Sequence, residues 1–83
     1  MNIYIGNLNY RVREDDLQRV LEDYGTVDSI KVIKDRDSGR SKGFAFAEMP
    51  NNAEALKAID ELNEAEFEGR QMVVKEAIPR ERQ

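Results

Sequence analysis

Alternation of small and large side chains marks the stretch that decides the fold, residues 42–49, with the sequence KGFAFAEM. Successive side chains of a β-strand point to opposite faces of the sheet, so residues two apart share a face. One set is small or apolar and comprises Ala45, Ala47 and Met49; the other carries the charges and comprises Lys42, Phe44, Phe46 and Glu48. The charged set is the one that faces solvent. Both phenylalanines are therefore predicted to lie exposed on the outer face of a strand.

Hydrophobic periodicity predicts further elements on both sides of this strand. An alternating segment before Gly6 indicates a first strand, and apolar residues at positions 17, 20, 21 and 24 indicate a helix that stops at Gly25. In chain order, the predicted elements are a strand at 3–5, a helix at 14–24, a strand region at 27–33, the strand at 42–49, a helix that opens at 50–52 and buries positions 55, 58, 59 and 62, and a strand at 71–76.

The order βαββαβ is that of a ferredoxin-like α+β sandwich with a four-stranded antiparallel sheet. Each helix has one apolar stripe, so both helices must pack on the same face of the sheet, and the other face is left open. Because Ile3 and Ile5 point inward, Tyr4 points outward and joins Phe44 and Phe46 on the open face. Three clustered aromatics outside the core indicate a surface that meets a partner.

Composition excludes several classes of function. The 83 residues suffice for one small domain, predicted at residues 1–78, followed by a short polar tail at 79–83. The sequence has neither Cys nor His, which excludes disulfides, thiolate or imidazole metal sites, and the commonest catalytic side chain. Paired acids such as Asp15 and Asp16 lie in the first turn of a helix, where its dipole favours them. We therefore expect no enzymatic activity, no cofactor and no bound metal.

No targeting or membrane segment is predicted. No apolar run approaches the roughly 20 residues that a helix needs to span a bilayer. The first residues lack the charged and apolar regions of a signal peptide. The expectation is a cytoplasmic, monomeric protein without membrane contact.

Charge is segregated along the chain, although the net charge is −4. Residues 14–24 hold five acids against one arginine, a balance of −4, and residues 51–68 hold six acids against one lysine, a balance of −5. Residues 30–45 hold five basic residues against two acids, a balance of +3, and residues 69–83 hold four against two, a balance of +2. The acids thus belong mainly to the predicted helices and the bases to the strands and their loop. The negative total therefore does not exclude a nucleic-acid partner.

Residues 42–49 resemble the longer ribonucleoprotein motif of the RNA recognition motif family, K/R-G-F/Y-G/A-F-V-x-F/Y, and match five of its seven specified positions. The segment departs from the motif at Ala47 and Met49, which are both predicted to face inward. Residues 3–8, IYIGNL, resemble the family's shorter motif, an aromatic between two aliphatics followed by Asn-Leu. Residues 69–74, GRQMVV, are similar to the family's usual start of the last strand. The resemblance covers essentially the whole chain and is greatest to compact single-domain bacterial members.

The resemblance implies single-stranded RNA as the partner, bound by base stacking on the open sheet face, with single-stranded DNA accepted in vitro. Tyr4 and Phe44 would each carry a base, and Phe46 would pack on sugars or on a further base. Basic residues would meet phosphates or remain solvated: Lys31, Lys42 and Lys75 on the strands, and Arg36 and Arg40 on the loop between the second and third strands. The implied role is post-transcriptional regulation or RNA chaperoning.

Other positions have two interpretations. Asn7 is either a turn residue after the first strand or a direct RNA contact. Val73, like Ile33, is predicted on the open face, where it either widens the binding surface or serves only the strand. Tyr10 and Phe67 are predicted as packing residues at the ends of the sheet.

The tail offers a last candidate contact, and the fold offers a rival function. Pro79 fixes part of the exit direction, and the tail is expected to leave the last strand beside the outer edge of the second strand. Arg80 would then reach a phosphate or a base, unless the terminus is frayed.

The rival function is a protein-binding module of the same fold, whose acidic helices would bind a basic partner.

Overall fold

The computed structural model describes residues 1–77, and the predicted tail with Arg80 lies outside the described residues. The elements are β1 (Asn2–Gly6), α1 (Glu14–Glu22), β2 (Ser29–Lys34), β3 (Ser41–Glu48), α2 (Asn52–Leu62), β4 (Glu66–Phe67), β5 (Arg70–Gln71) and β6 (Val73–Ala77). The predicted ferredoxin-like βαββαβ order is confirmed, with β4 and β5 inserted as a small hairpin before the last strand.

The main sheet has the strand order β2-β3-β1-β6, and all of its neighbouring strands are antiparallel. Each helical crossover passes over one strand, so β3 lies between β1 and β2, and β1 lies between β3 and β6. The strands β2 and β6 are therefore the two opposite edges. The expected course of the tail assumed that the last strand lies beside the second strand, and the strand order shows that it does not; the tail itself lies outside the described residues.

The core lies between the helices and one face of the sheet. The inward residues of β1 and β3 are at most 3% exposed and comprise Ile3, Ile5, Ala45 and Ala47. The two alanines leave room for side chains of the helices, including Leu17 and Leu21 of α1 and Ala55 and Ala58 of α2. The alternation of side chains along each strand predicted these inward positions correctly.

The two helices differ in how their ends match the sequence pattern. Helix α2 begins at Asn52, within the predicted 50–52, and Asn51 caps it, since its Oδ1 accepts the backbone N–H of Glu54 at 3.0 Å. Helix α1 ends at Glu22, two residues before the predicted Tyr24. The N–H of Tyr24 bonds to the carbonyl of Leu21 at 2.9 Å, which tightens the last turn. Tyr24 is still half-buried against the core, as the periodicity indicated.

The β4–β5 hairpin has no counterpart in the sequence prediction. Phe67 pairs with Arg70 across the two-residue turn Glu68-Gly69, and both turn residues have positive φ, 52° and 82°. Phe67 itself packs against the core, as predicted for this position. The described part of the chain, residues 1–77, contains no helix long and apolar enough to cross a membrane.

Candidate nucleic-acid interface

Three aromatic side chains meet on the sheet face opposite the two helices. Tyr4 of β1 lies opposite Phe46 of β3. Phe44 precedes Phe46 by two residues and therefore lies on the same face. The ring centroids of Tyr4 and Phe44 are 6.0 Å apart, those of Tyr4 and Phe46 5.7 Å, and those of Phe44 and Phe46 6.0 Å. Phe46 is 40% exposed, and the other two are half-buried. We refer to these three rings as the aromatic platform.

Glycine at position 6 shapes the platform. Tyr4 and Gly6 share the open face of β1, and the Tyr4 ring lies over the glycine. A Cβ atom at position 6 would come within 2.7 Å of the Tyr4 Cε2 and Cζ atoms, a separation that real Cβ atoms do not show. The absence of a side chain at Gly6 therefore sets how low the Tyr4 ring sits on the strand.

Lysines lie on both sides of the cross-strand pair formed by Phe46 and Tyr4. The register places Lys31 of β2 opposite Phe46, and Lys75 of β6 opposite Tyr4. The row thus reads Lys31, Phe46, Tyr4, Lys75 from one edge of the sheet to the other. The Lys75 ammonium lies 5.5 Å from the centroid of the Tyr4 ring, within the distance of a cation–π contact. Positive charge therefore borders the apolar rings at both edges.

The neighbouring rows make the open face asymmetric. Val73 of β6 pairs with Gly6, shares the face of the platform and is 41% exposed. At the other end of the face, the exposed Glu48 pairs with Asn2 and with Ser29. One end of the open face is thus apolar and the other end is acidic.

The predicted cations of the β2–β3 region lie beyond the apolar end. Lys42 is exposed next to a register shift in the β2–β3 ladder, where Gly43 has a φ of 84°. Positive φ is costly for residues other than glycine, which explains the glycine at this irregularity. Arg36 and Arg40 are exposed on the loop that joins the two strands.

Asp35 orders this loop. Its Oδ1 atom accepts the backbone N–H groups of Asp37 at 2.8 Å and Ser38 at 3.3 Å, and its own N–H bonds to the carbonyl of Arg40 at 2.7 Å. The N–H donors of Asp37 and Ser38 stabilise the carboxylate and hold the pKa of Asp35 below its usual value. The loop that presents the two arginines is thus a hydrogen-bonded turn.

Asn7 is engaged within the protein. It has a φ of 56°, its Nδ2 amide donates to the carbonyl of Gln71 at 2.6 Å, and its Oδ1 accepts from the Arg70 guanidinium at 2.9 Å. The neighbouring Asn9 donates to the carbonyl of Glu68 at 3.2 Å. Both asparagines therefore hold the β4–β5 hairpin against the end of β1, at the apolar end of the open face. The hairpin and Arg70 were not predicted as part of this region.

Tyr10 departs from the sequence prediction. It was expected to pack at the end of the sheet, but it is 67% exposed. A Cβ at Gly43 would lie 3.3 Å from the Tyr10 Cε1 atom, so the ring rests beside the residue that precedes Phe44. An aromatic residue in a loop next to an aromatic strand was the available signal for an exposed ring. Parity could not reveal it, because Tyr10 lies outside any strand.

Comparisons with known proteins agree with this geometry. The family model described as RNA recognition motif matches residues 3–73. The chain is 51% identical over 81 residues to RbpD of Nostoc sp. (strain PCC 7120 / SAG 25.82 / UTEX 2576), covering 98% of this chain and 86% of that relative.

Solved structures give the same result. The crystal structure of RNA-binding protein PG1 is similar with a TM-score of 0.93 and 56% identity, over 99% of both chains. The Rna15 RRM with bound RNA (GU) is similar with a TM-score of 0.82 and 26% identity, over 92% of this chain and 81% of that one. From its motifs, its strand order and these matches, the chain belongs to the RNA recognition motif family.

Proposed function

We propose that the protein binds single-stranded RNA, as a monomer, by stacking bases on the aromatic platform. The observation that carries the proposal is the row of Phe46 and Tyr4 between Lys31 and Lys75, on the sheet face that residues 1–77 leave uncovered. Exposed rings offer faces to bases, and the lysines offer charge to phosphates. Membership of the RNA recognition motif family and the similarity to a solved RRM with bound RNA support this proposal.

Stacking supplies part of the binding energy. Tyr4 and Phe44 each take one base, and Phe46 packs on a sugar or on a further base. Each stacked base contributes about 1–3 kcal/mol. Two or three stacks alone correspond to roughly millimolar to micromolar dissociation constants, because ordering a flexible strand opposes them. Contacts to phosphates must therefore add to the affinity.

Charged side chains orient the bound RNA strand. A base that stacks over Tyr4 takes the place of the Lys75 ammonium, whose long stem lets it turn to a neighbouring phosphate. Lys31 serves the opposite edge, and Lys42, Arg36 and Arg40 serve the loop beyond the apolar end. Glu48 repels phosphates at the other end of the face.

The remaining candidates act without charge or lie in the tail. Val73 extends the apolar surface at the platform, while Asn7 acts by holding the hairpin in position. Arg80 remains a candidate contact from the tail.

The biological role that suits such binding is post-transcriptional regulation or RNA chaperoning. Stacking is tolerant of base identity and of the sugar, so single-stranded DNA is expected to bind in vitro as well. A protein-binding module of the same fold would not need the platform rings, and the experiments below separate it from an RNA-binding domain.

Single strands should bind more tightly than duplexes of the same sequence. The platform reaches only unpaired bases, and duplex RNA hides its base faces in the stack. We expect an anisotropy titration at low salt to give at least tenfold tighter binding for the single strand.

Binding to the single strand should also weaken with salt. A plot of the logarithm of the binding constant against the logarithm of the salt concentration should have a slope of about −1.5 to −3, for two to four phosphate contacts. Equal affinity for the duplex, or a constant indifferent to salt, would contradict the proposal.

Gly6→Ala is expected to weaken RNA binding while leaving the fold intact. The new methyl group would push the Tyr4 ring off the strand, because the ring atoms Cε2 and Cζ lie 2.7 Å from its position. We expect a loss of about 1 kcal/mol in binding, within the range of one stacked base. The control is the same change in a Tyr4→Ala background, where no ring remains to be displaced and no further loss should occur. A loss of equal size in both backgrounds would show that Gly6 acts independently of Tyr4.

A further inference from the structure

A concave surface lies beside the open face rather than on it. It is a cleft of about 890 Å³ between the β1–α1 loop and the β2–β3 loop. Its lining includes Tyr10, Arg11, Arg13, Glu14, Lys34 and Arg40. Apart from Arg40, none of these residues belongs to the RNA surface proposed above. The cleft is therefore a separate feature that needs its own explanation.

The cleft is strongly basic in a protein of negative net charge. Four exposed cations line it, namely Arg11, Arg13, Lys34 and Arg40. The one acid in the lining is Glu14, and its Oε2 atom accepts the backbone N–H of Val32 at 3.0 Å. That hydrogen bond is the main cause of the lowered pKa of Glu14, which favours the ionised carboxylate. Four positive charges against one negative charge leave the cleft suited to an anion.

The cleft adjoins β3, the strand that carries Phe44 and Phe46. Tyr10 belongs to the cleft lining, is 67% exposed, and rests beside Gly43, which immediately precedes Phe44 in β3. The other end of the open face carries Glu48, which disfavours phosphates. A polyanion that avoids Glu48 therefore leaves the platform at the end of the face nearer to Tyr10 and the cleft.

We propose that this cleft binds the phosphodiester backbone of the nucleotides that adjoin those stacked on the platform, with Tyr10 stacking on one further base. Arginine guanidinium groups match phosphate oxygens in a two-pronged arrangement, which suits Arg11 and Arg13 to this task. The inference rests on the proposed function and extends the bound RNA beyond the sheet. It makes the length of the RNA, as well as its bases, a determinant of affinity.

RNA length separates the cleft from the platform. We would titrate wild type and the double variant Arg11→Gln/Arg13→Gln with single-stranded RNA of about four nucleotides, which covers the platform, and of about ten. The variant should bind the short RNA as wild type does and lose roughly tenfold in affinity for the long RNA at low salt. Its salt slope for the long RNA should be shallower by about 1.4, at roughly 0.7 for each lost phosphate contact.

A charge-matched control uses cations outside the cleft. Arg19 of α1 and Lys57 of α2 are exposed, and the double variant Arg19→Gln/Lys57→Gln removes the same charge. This control should bind both RNAs within a factor of two of wild type. If it loses as much affinity as the cleft variant, the effect is one of net charge and the cleft proposal is overturned.

The remaining outcomes distinguish this inference from the proposed function. Undiminished affinity of the cleft variant for the long RNA, together with a loss in Phe44→Ala, would overturn the cleft and leave the platform standing. No binding of either RNA by wild type would overturn both. Tyr10→Ala should weaken only the long RNA, and Tyr10→Phe should restore it, because the ring and not the hydroxyl provides the stacking surface. Equal loss on the short RNA would assign Tyr10 to the platform instead.

Discussion

Replacing Phe44 by alanine is expected to lower the affinity for single-stranded RNA by about 1–3 kcal/mol, or roughly five- to 150-fold. Tyr4→Ala is expected to have an effect of the same size. Both rings lie on the face opposite the core, 6.0 Å apart between centroids, and neither belongs to the buried cluster beneath the helices. Each substitution therefore removes a stacking surface without opening a cavity in the core. Fluorescence anisotropy of a labelled RNA would measure the loss.

Tyr4→Phe is the matched control, because it keeps the ring and removes only the hydroxyl. Its affinity should stay within about twofold of wild type, since the face of the ring and not the oxygen carries the base. Thermal melts of all three variants would test the fold. If either alanine variant were unfolded at room temperature, the outward assignment of that side chain would be wrong. If both were folded and bound RNA normally, the platform would not be the binding site.

Leu21→Ala is expected to lower the free energy of unfolding by about 2–5 kcal/mol. Leu21 has no exposed surface and lies in α1 against the inward side chains of the sheet. Small domains have unfolding free energies of about 5–15 kcal/mol, so this single change removes a large share of the total. Urea denaturation followed by circular dichroism would measure the effect, and the slope against urea should stay constant.

Leu56→Ala provides the comparison within the same residue type. Leu56 lies in α2 but is 54% exposed, so its truncation removes little buried surface. We expect its effect to stay within about 0.5 kcal/mol of wild type. Similar losses at both positions would mean that α2 buries a different face from the one described.

The alternation of side chains between the two faces of a strand made much of the fold and of the platform predictable. In β3 the charged Lys42 and Glu48 were enough to assign every second residue, which gave the inward alanines and the outward Phe44, and in β1 the two isoleucines did the same for Tyr4. The helices followed from apolar spacing, because a single stripe dictates a single packed face. These are local rules, and they succeed where an element is regular.

The failures lie where the chain is irregular or where distant segments meet. The β4–β5 hairpin has two-residue strands, too short to display alternation, and its turn was visible only as a glycine at position 69. The exposure of Tyr10 depends on a loop packing beside Gly43. The opposite-edge positions of β2 and β6 depend on how each helix crosses the sheet, which no local pattern encodes. The basic cleft likewise joins residues 10–14 to residues of β2 and of the β2–β3 loop, which lie apart in the sequence.

The register of the sheet has a consequence for how such a protein can change over evolutionary time. Along β1 and β3, odd-numbered positions such as Ile5 and Ala45 maintain the fold, while even-numbered positions such as Tyr4 and Phe46 face the solvent. Mutations on the outer positions therefore cost less stability than mutations on the inner ones and are open to selection for new base preferences. A library randomised at those positions alone should yield mostly folded members with divergent ligands, whereas the same library shifted by one residue should yield mostly unfolded chains.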